Sequence, residues 1–150
     1  MRPLRVVVIG SECTGKTTLA QALASRFGAP WVPEFCRGFQ DAKGSPLDAS
    51  DVEPIARGQN AEADAAERRA RDLVVLDTDL VSTVVYARHY YGSCPEWIEA
   101  ATRRRAGDLY LLLCPDVPWV ADGLQRDRPD ETERAEMHAR FRDALTSLGE

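Results

Sequence analysis

Histidine and cysteine are scarce in this chain: 150 residues carry two histidines and four cysteines, and the cysteines at 13, 36, 94 and 114 form no CxxC pair. That spacing excludes a structural zinc site as the organising element. An excess of positive charge is also lacking, with 19 Lys and Arg against 24 Asp and Glu and a formal net charge of -5. The sequence therefore does not supply the field that non-specific nucleic-acid binding needs, and no nucleic-acid partner is expected. No apolar run reaches the length of a membrane span. Residues 1–8 are too short for a signal peptide and lead straight into a motif. A cytoplasmic location follows as the expectation, with reduced thiols and no membrane partner. Internal repeats and low-complexity tracts are absent. What remains is the balance of an ordinary globular domain, 44% hydrophobic and 29% charged, long enough for one domain with its own core.

The apolar pattern switches repeatedly between two periods. Residues 4–9 form a continuous β-branched run closed by Gly10, which reads as a strand buried on both faces. A helical pattern over residues 16–27 follows, with Leu19, Ala20, Leu23 and Phe27 on one side and Gly28 and Pro30 as stop signals. Residues 29–33 read as a short strand, 39–50 as a loop rich in Gly, Asp, Ser and Pro, and 52–71 as a polar helix. A third strand over 73–76 ends in Asp77-Thr78-Asp79, and helical patterns cover 80–91 and 95–105. A fourth strand spans 109–114, a Pro-, Asp- and Arg-rich segment spans 115–129, and a last helix spans 130–148. Strands alternating with helices predict an α/β fold, a parallel sheet of about four strands with helices on both faces. Ligands of such a sheet lie beyond the carboxyl ends of its strands.

Gly10-Ser11-Glu12-Cys13-Thr14-Gly15-Lys16-Thr17 fits G-x-x-x-x-G-K-[ST] in full and lies where that motif must lie, after a buried strand and opening a helix. The glycines let successive backbone N–H groups face phosphate oxygens, and the helix N-terminus adds its positive end. Lys16 is placed to neutralise the β- and γ-phosphates, and the Thr17 hydroxyl to bind Mg²⁺. Thr18 extends the phosphate contacts. The pattern implies a nucleoside triphosphate, with ATP and Mg²⁺ as the expected cofactors.

Asp77 closes an apolar strand, the position from which P-loop proteins supply a second acidic partner for the metal. Asp77 or Asp79 would alternatively cap the helix beginning at Leu80, and both roles can hold at once, Asp79 being placed to cap while Asp77 points at the metal. Glu34 and Arg37 follow the second strand and should project toward the same cleft. There Glu34 would accept a substrate hydroxyl proton or hold a ribose diol, and Arg37 would stabilise a transferring phosphoryl group, or else the two form a solvated ion pair. Arg126, Arg128 and Arg134 lie in or just after the segment beyond the fourth strand, from which arginines can close over a triphosphate. Arg103-Arg104-Arg105 reads as a solvated face.

With these residues in hand, the chain resembles the NadR-type ribosylnicotinamide kinase domain and the P-loop ATPases grouped with it. The likeness runs from residue 6 to about 134 and rests on GSECTGKTTLA (10–20), PEFCRGF (33–39), ARGQ (56–59), LDTD (76–79) and PDVPWVADGL (115–124). The resemblance implies transfer of the ATP γ-phosphate to the 5′-hydroxyl of ribosylnicotinamide, a salvage step toward NAD. It implies that Lys16, Thr17 and Asp77 handle ATP and Mg²⁺, that Glu34 and Asp79 address the nucleoside, and that Arg126 and Arg134 act from a lid over about residues 115–134. Phe35, Tyr86, Tyr90 and Trp119 are candidates to stack on the pyridinium ring or to pack in the core. Family members continue into a fifth strand, which this chain is expected to lack, and its Gly123-Leu124-Gln125-Arg126 sets the lid arginine one place later than the family pattern. Two rivals stay open: a P-loop kinase with another nucleoside or small-molecule acceptor, and a nucleotide-binding regulatory module with little turnover. The sequence leaves oligomerisation open.

Overall fold

The computed structural model describes residues 2–11, 14–115 and 131–149. Its frame is a parallel sheet in the order β2-β3-β1-β4, built from β1 (Leu4–Ile9), β2 (Trp31–Val32), β3 (Leu73–Asp77) and β4 (Leu109–Leu112). The central position of β1 explains its composition, since Val7, Val8 and Ile9 are fully buried and a strand with helices over both faces has no side left for polar residues. Register fixes the geometry that matters for function. Val8 lies opposite Asp77, so the chain leaving β1 at Gly10 starts beside the carboxylate that ends β3.

Helix α1 (Lys16–Phe27) covers one face, its Ala20 and Ala24 packing on Val8 and Val75. The opposite face, carrying Val7, Ile9, Val32, Val74 and Leu76, is covered by α3 (Val52–Arg69), α4 (Leu80–Tyr91) and α6 (Glu131–Leu148). Buried residues of α3 recur at Val52, Ile55, Ala56, Gln59, Ala63 and Ala66, the stripe expected of one helix face. Phe141 of α6 is fully buried on this side, and a side chain of that size contributes about 1.5–3 kcal/mol on burial. A satellite cluster joins α3 and α4 to α5 (Glu96–Arg104) through Ala56, Leu80, Val84, Ile98 and Ala101. No described helix is long and apolar enough to cross a membrane.

The strands and the other helices fall within a few residues of their expected spans. One element differs in kind. Residues 39–50, expected as a loop, begin inside a helix, α2 (Phe35–Lys43). Gly38 does not interrupt it, because Phe35 and Phe39 stand one turn apart with ring centroids 6.3 Å apart and Gln40 is buried. Gly44 is the true stop: it takes the left-handed conformation and donates its N–H to the Gln40 carbonyl. Asp48 then caps a short 3-10 turn at Ala49–Asp51 in a reciprocal arrangement with Asp51. Glu34, directly before Phe35, therefore stands at the entrance of this helix.

Candidate active site

The loop after β1 is shaped by two glycines. Gly10 has φ +156°, and a Cβ there would lie 3.1 Å from the Leu113 carbonyl and 3.3 Å from Thr14 Oγ1, so a larger residue has neither the conformation nor the room. Gly15, with φ +86°, forms the left-handed step that delivers the chain into α1. Between them Thr14 Oγ1 donates to the Ser11 carbonyl at 2.8 Å, and Ser11 Oγ is buried with no hydrogen-bond partner among the described residues. Lys16 is buried yet lies 3.9 Å from Glu34 Oε2 across the cleft. A buried ammonium facing one carboxylate at this distance is poised for further anionic partners.

Thr17 donates its hydroxyl to Asp77 Oδ2 at 2.7 Å, which ties the first turn of α1 to the end of β3. Asp77 Oδ1 is buried without a partner among the described residues. Burial pushes the Asp77 carboxyl up, and the Thr17 hydrogen bond works against that rise. Glu34 raises it further by its charge, while Lys16 and Arg37 lower it, so all four groups act on one point in space. A hydroxyl beside a carboxylate with one oxygen unused is a hard-oxygen donor pair suited to a small divalent cation.

Thr78 takes φ +73°, an uncommon conformation for a β-branched residue, and its N–H donates to the Val8 carbonyl at 2.8 Å. This step divides the two aspartates. Asp77 ends on the side of Thr17 and Lys16, whereas Asp79 turns inward, capping α4 by accepting from Val81 N–H at 2.9 Å. Its other oxygen accepts from the Tyr110 hydroxyl at 2.6 Å, and that hydroxyl in turn accepts from Gly107 N–H at 2.9 Å. Asp79 is buried, and desolvation pushes its carboxyl up while both hydrogen bonds oppose the shift. Both Asp79 oxygens thus accept hydrogen bonds from within the fold, where the residue caps α4.

The structure brings Gly10, Ser11, Thr14, Lys16, Thr17, Glu34, Arg37 and Asp77 to one end of the sheet. Thr18 lies in the first turn of α1 with its side chain exposed. Tyr86 packs edge-on against Phe141 at 5.6 Å and parallel to Tyr90 at 6.0 Å, and is partly buried against the core. Arg134 lies half-buried in the first turn of α6. Glu12, Cys13, Trp119, Arg126 and Arg128 lie outside the described residues. Two neighbours of the site had no assigned role from sequence. Gln59 accepts from Phe35 N–H at 3.0 Å, its only signal being membership of the ARGQ stretch, and Tyr110 supports Asp79 across a distance no local pattern reveals.

A strand-to-helix loop of this form, ending in a buried lysine and a threonine joined to the aspartate of the neighbouring strand, defines a P-loop nucleotide-binding domain. A family model described as an AAA domain matches residues 5–150, and the chain belongs to that family. It is 34% identical over 124 residues to the trifunctional NAD biosynthesis/regulator protein NadR of Escherichia coli (strain K12), a match covering 80% of this chain and 30% of that protein. The NadR protein of Salmonella typhimurium gives the same identity and coverage, so the chain spans about 30% of the length of the curated relatives it matches. Among solved structures, a NadR protein in complex with NR superposes with a TM-score of 0.75 at 29% identity, covering 98% of this chain and 43% of the other. A NadR protein in complex with NAD and AMP-PNP gives 0.76 at 26% identity, covering 98% and 42%. The thymidylate kinase of Ehrlichia chaffeensis, at 15% identity and a TM-score of 0.61 over 97% of this chain and 80% of that one, shares the fold. The parallel sheet and its helices are those of the P-loop kinases.

Proposed function

We propose that this domain transfers the γ-phosphate of ATP to the 5′-hydroxyl of ribosylnicotinamide. The observation that carries the reading is the 3.9 Å approach of Lys16 Nζ to Glu34 Oε2, which supports reading the lysine as the phosphate-binding cation and the carboxylate as the base. Likeness to NadR supports the choice of acceptor, since one solved NadR protein holds NR and another holds AMP-PNP.

In the proposed reaction the backbone N–H groups of the loop and Lys16 hold the β- and γ-phosphates, and Glu34 accepts the proton of the attacking hydroxyl. The new O–P bond forms as the bond from the γ-phosphorus to the bridging oxygen breaks, and ADP leaves. In the proposal Arg37, whose charge lowers the Asp77 carboxyl, spreads charge on the transferring group. Thr17 and Asp77 would hold a Mg²⁺ ion, a fit supported by the unused Asp77 Oδ1 beside the Thr17 hydroxyl. When bound, that ion would supply charge neutralisation to the triphosphate. Arg134, in the first turn of α6, belongs in the proposal to the groups that act on the triphosphate. The test is identification of the product by ³¹P NMR: a phosphomonoester on the nucleoside, appearing with ADP, is expected, and inorganic phosphate alone would defeat the proposal.

A further inference from the structure

Glu34 occupies the entrance of α2 and its own side chain makes no capping bond to that helix, so something else must fix where the helix begins. Two adjacent residues of α3 do so. Gln59 is buried, and its Oε1 accepts the Phe35 N–H at 3.0 Å, taking up one of the donors that a helix N-terminus leaves without an internal partner. Its Nε2 is buried with no partner among the described residues and the side chain lines a small internal cavity with Arg5, Asp79 and Arg105. The amide is oriented by Phe35, because turning it over would set N–H against N–H. The neighbouring Gly58 completes the contact. A Cβ built on Gly58 would lie 2.1 to 2.5 Å from three ring atoms of Phe35, so the ring rests on bare helix backbone and any side chain there would drive it away.

We propose that Gly58 and Gln59 are positioning residues for Glu34: together they seat Phe35 on α3 by its ring and its N–H, and thereby hold the Glu34 carboxylate opposite Lys16. This rests on the reading of Glu34 as the group that addresses the acceptor hydroxyl. It explains why a glycine sits in the middle of an 18-residue helix, where alanine would favour the helix itself. The seat is reached by two independent routes, one polar and one steric, so each checks the other.

The test combines hydrogen exchange of the peptide containing Phe35 with steady-state kinetics and ATP affinity on the whole chain. Gln59→Leu, which keeps the volume and removes the acceptor, should speed exchange there about tenfold. It should lower kcat by about ten- to a hundredfold, the range expected for a misplaced reacting group, with ATP affinity within about twofold of the parent. Gln59→Glu retains an acceptor at the same place and should restore both protection and most of the turnover. Gly58→Ala should reproduce the kcat loss although it strengthens the helix, and should have no further effect in a chain that already carries Phe35→Ala. Wild-type exchange and turnover in Gln59→Leu would overturn the proposal, as would accelerated exchange with kcat unchanged. A raised KM at unchanged kcat would overturn it in favour of direct substrate contact. If the parent chain turns over no acceptor while exchange still responds to Gln59→Leu, the kinase reading has failed and the positioning role falls with it, leaving only a structural contact.

Discussion

The hydroxyl of Thr17 and the carboxylate of Asp77 meet at 2.7 Å although 60 residues separate them in the chain. This contact joins the helix that opens the phosphate loop to the strand beside it, and it leaves Asp77 Oδ1 buried and unused among the described residues. A buried carboxylate oxygen without a partner costs the fold stability. Asp77→Asn should raise the melting temperature at neutral pH by about 2–4 °C, because a buried charge is removed. The same variant should lose the Mg²⁺-dependent part of nucleotide affinity. Differential scanning fluorimetry with and without ATP and Mg²⁺ checks both effects in one experiment.

Lys16 lies buried at the cleft wall, within reach of Glu34 and of whatever anion enters. Lys16→Ala should weaken ATP binding by about ten- to a hundredfold, the loss of a charge-assisted contact worth about 1.5–3 kcal/mol. Isothermal titration gives the number directly, and an affinity unchanged by the substitution would remove the phosphate loop from the account.

Glu34 should separate binding from turnover. In Glu34→Ala the proton acceptor is gone while the phosphate loop is intact, so turnover should fall by about 10²–10⁴-fold with ATP affinity within about twofold of the parent. Turnover at the parent rate would show that Glu34 is not the base.

Asp79 and Tyr110 make a prediction about pH. Burial raises the folded-state pKa of Asp79 above its ordinary value, so in the window between the two values the folded state holds more protons than the unfolded one. Stability from this group is therefore greatest below that window and declines as pH rises through it. The difference in melting temperature between Asp79→Asn and the parent should move in favour of the variant as pH rises through the window, then level off. Tyr110→Phe removes a hydrogen bond from the buried carboxylate and should destabilise the protein at neutral pH by about 1–3 kcal/mol, with a smaller loss once Asp79 is protonated. Thermal melts of the three proteins across acidic pH test both statements.

How far these residues can be read from sequence follows from the range of the interactions involved. The phosphate loop is legible because all its parts are local: a buried β-branched strand, glycines at positions that need unusual backbone angles, and a lysine and threonine at the helix start. The strand before Asp77 is legible for the same reason. Helix α2 was hidden because Gly38 and the polar residues after it suggest a loop, while the contacts that hold it reach across to α3. At the end of β3 the position of Asp79 just before the helix already suits it to cap and leaves Asp77 to face the metal, whereas the positive φ of Thr78 and the Tyr110 hydroxyl on Asp79 depend on the fold. Tyr86 reads from sequence as a packing residue before a stacking one, but its partner Phe141 lies 55 residues further along, beyond any local pattern.

The central claim is acceptor-dependent phosphoryl transfer, and the most direct measurement is the rate of ADP release from ATP and Mg²⁺ with ribosylnicotinamide, cytidine, uridine or thymidine, or with no acceptor. The account predicts release that depends on ribosylnicotinamide and is lost in Glu34→Ala. ATP binding without acceptor-dependent release from any of these nucleosides would contradict it and make the domain a nucleotide-binding module.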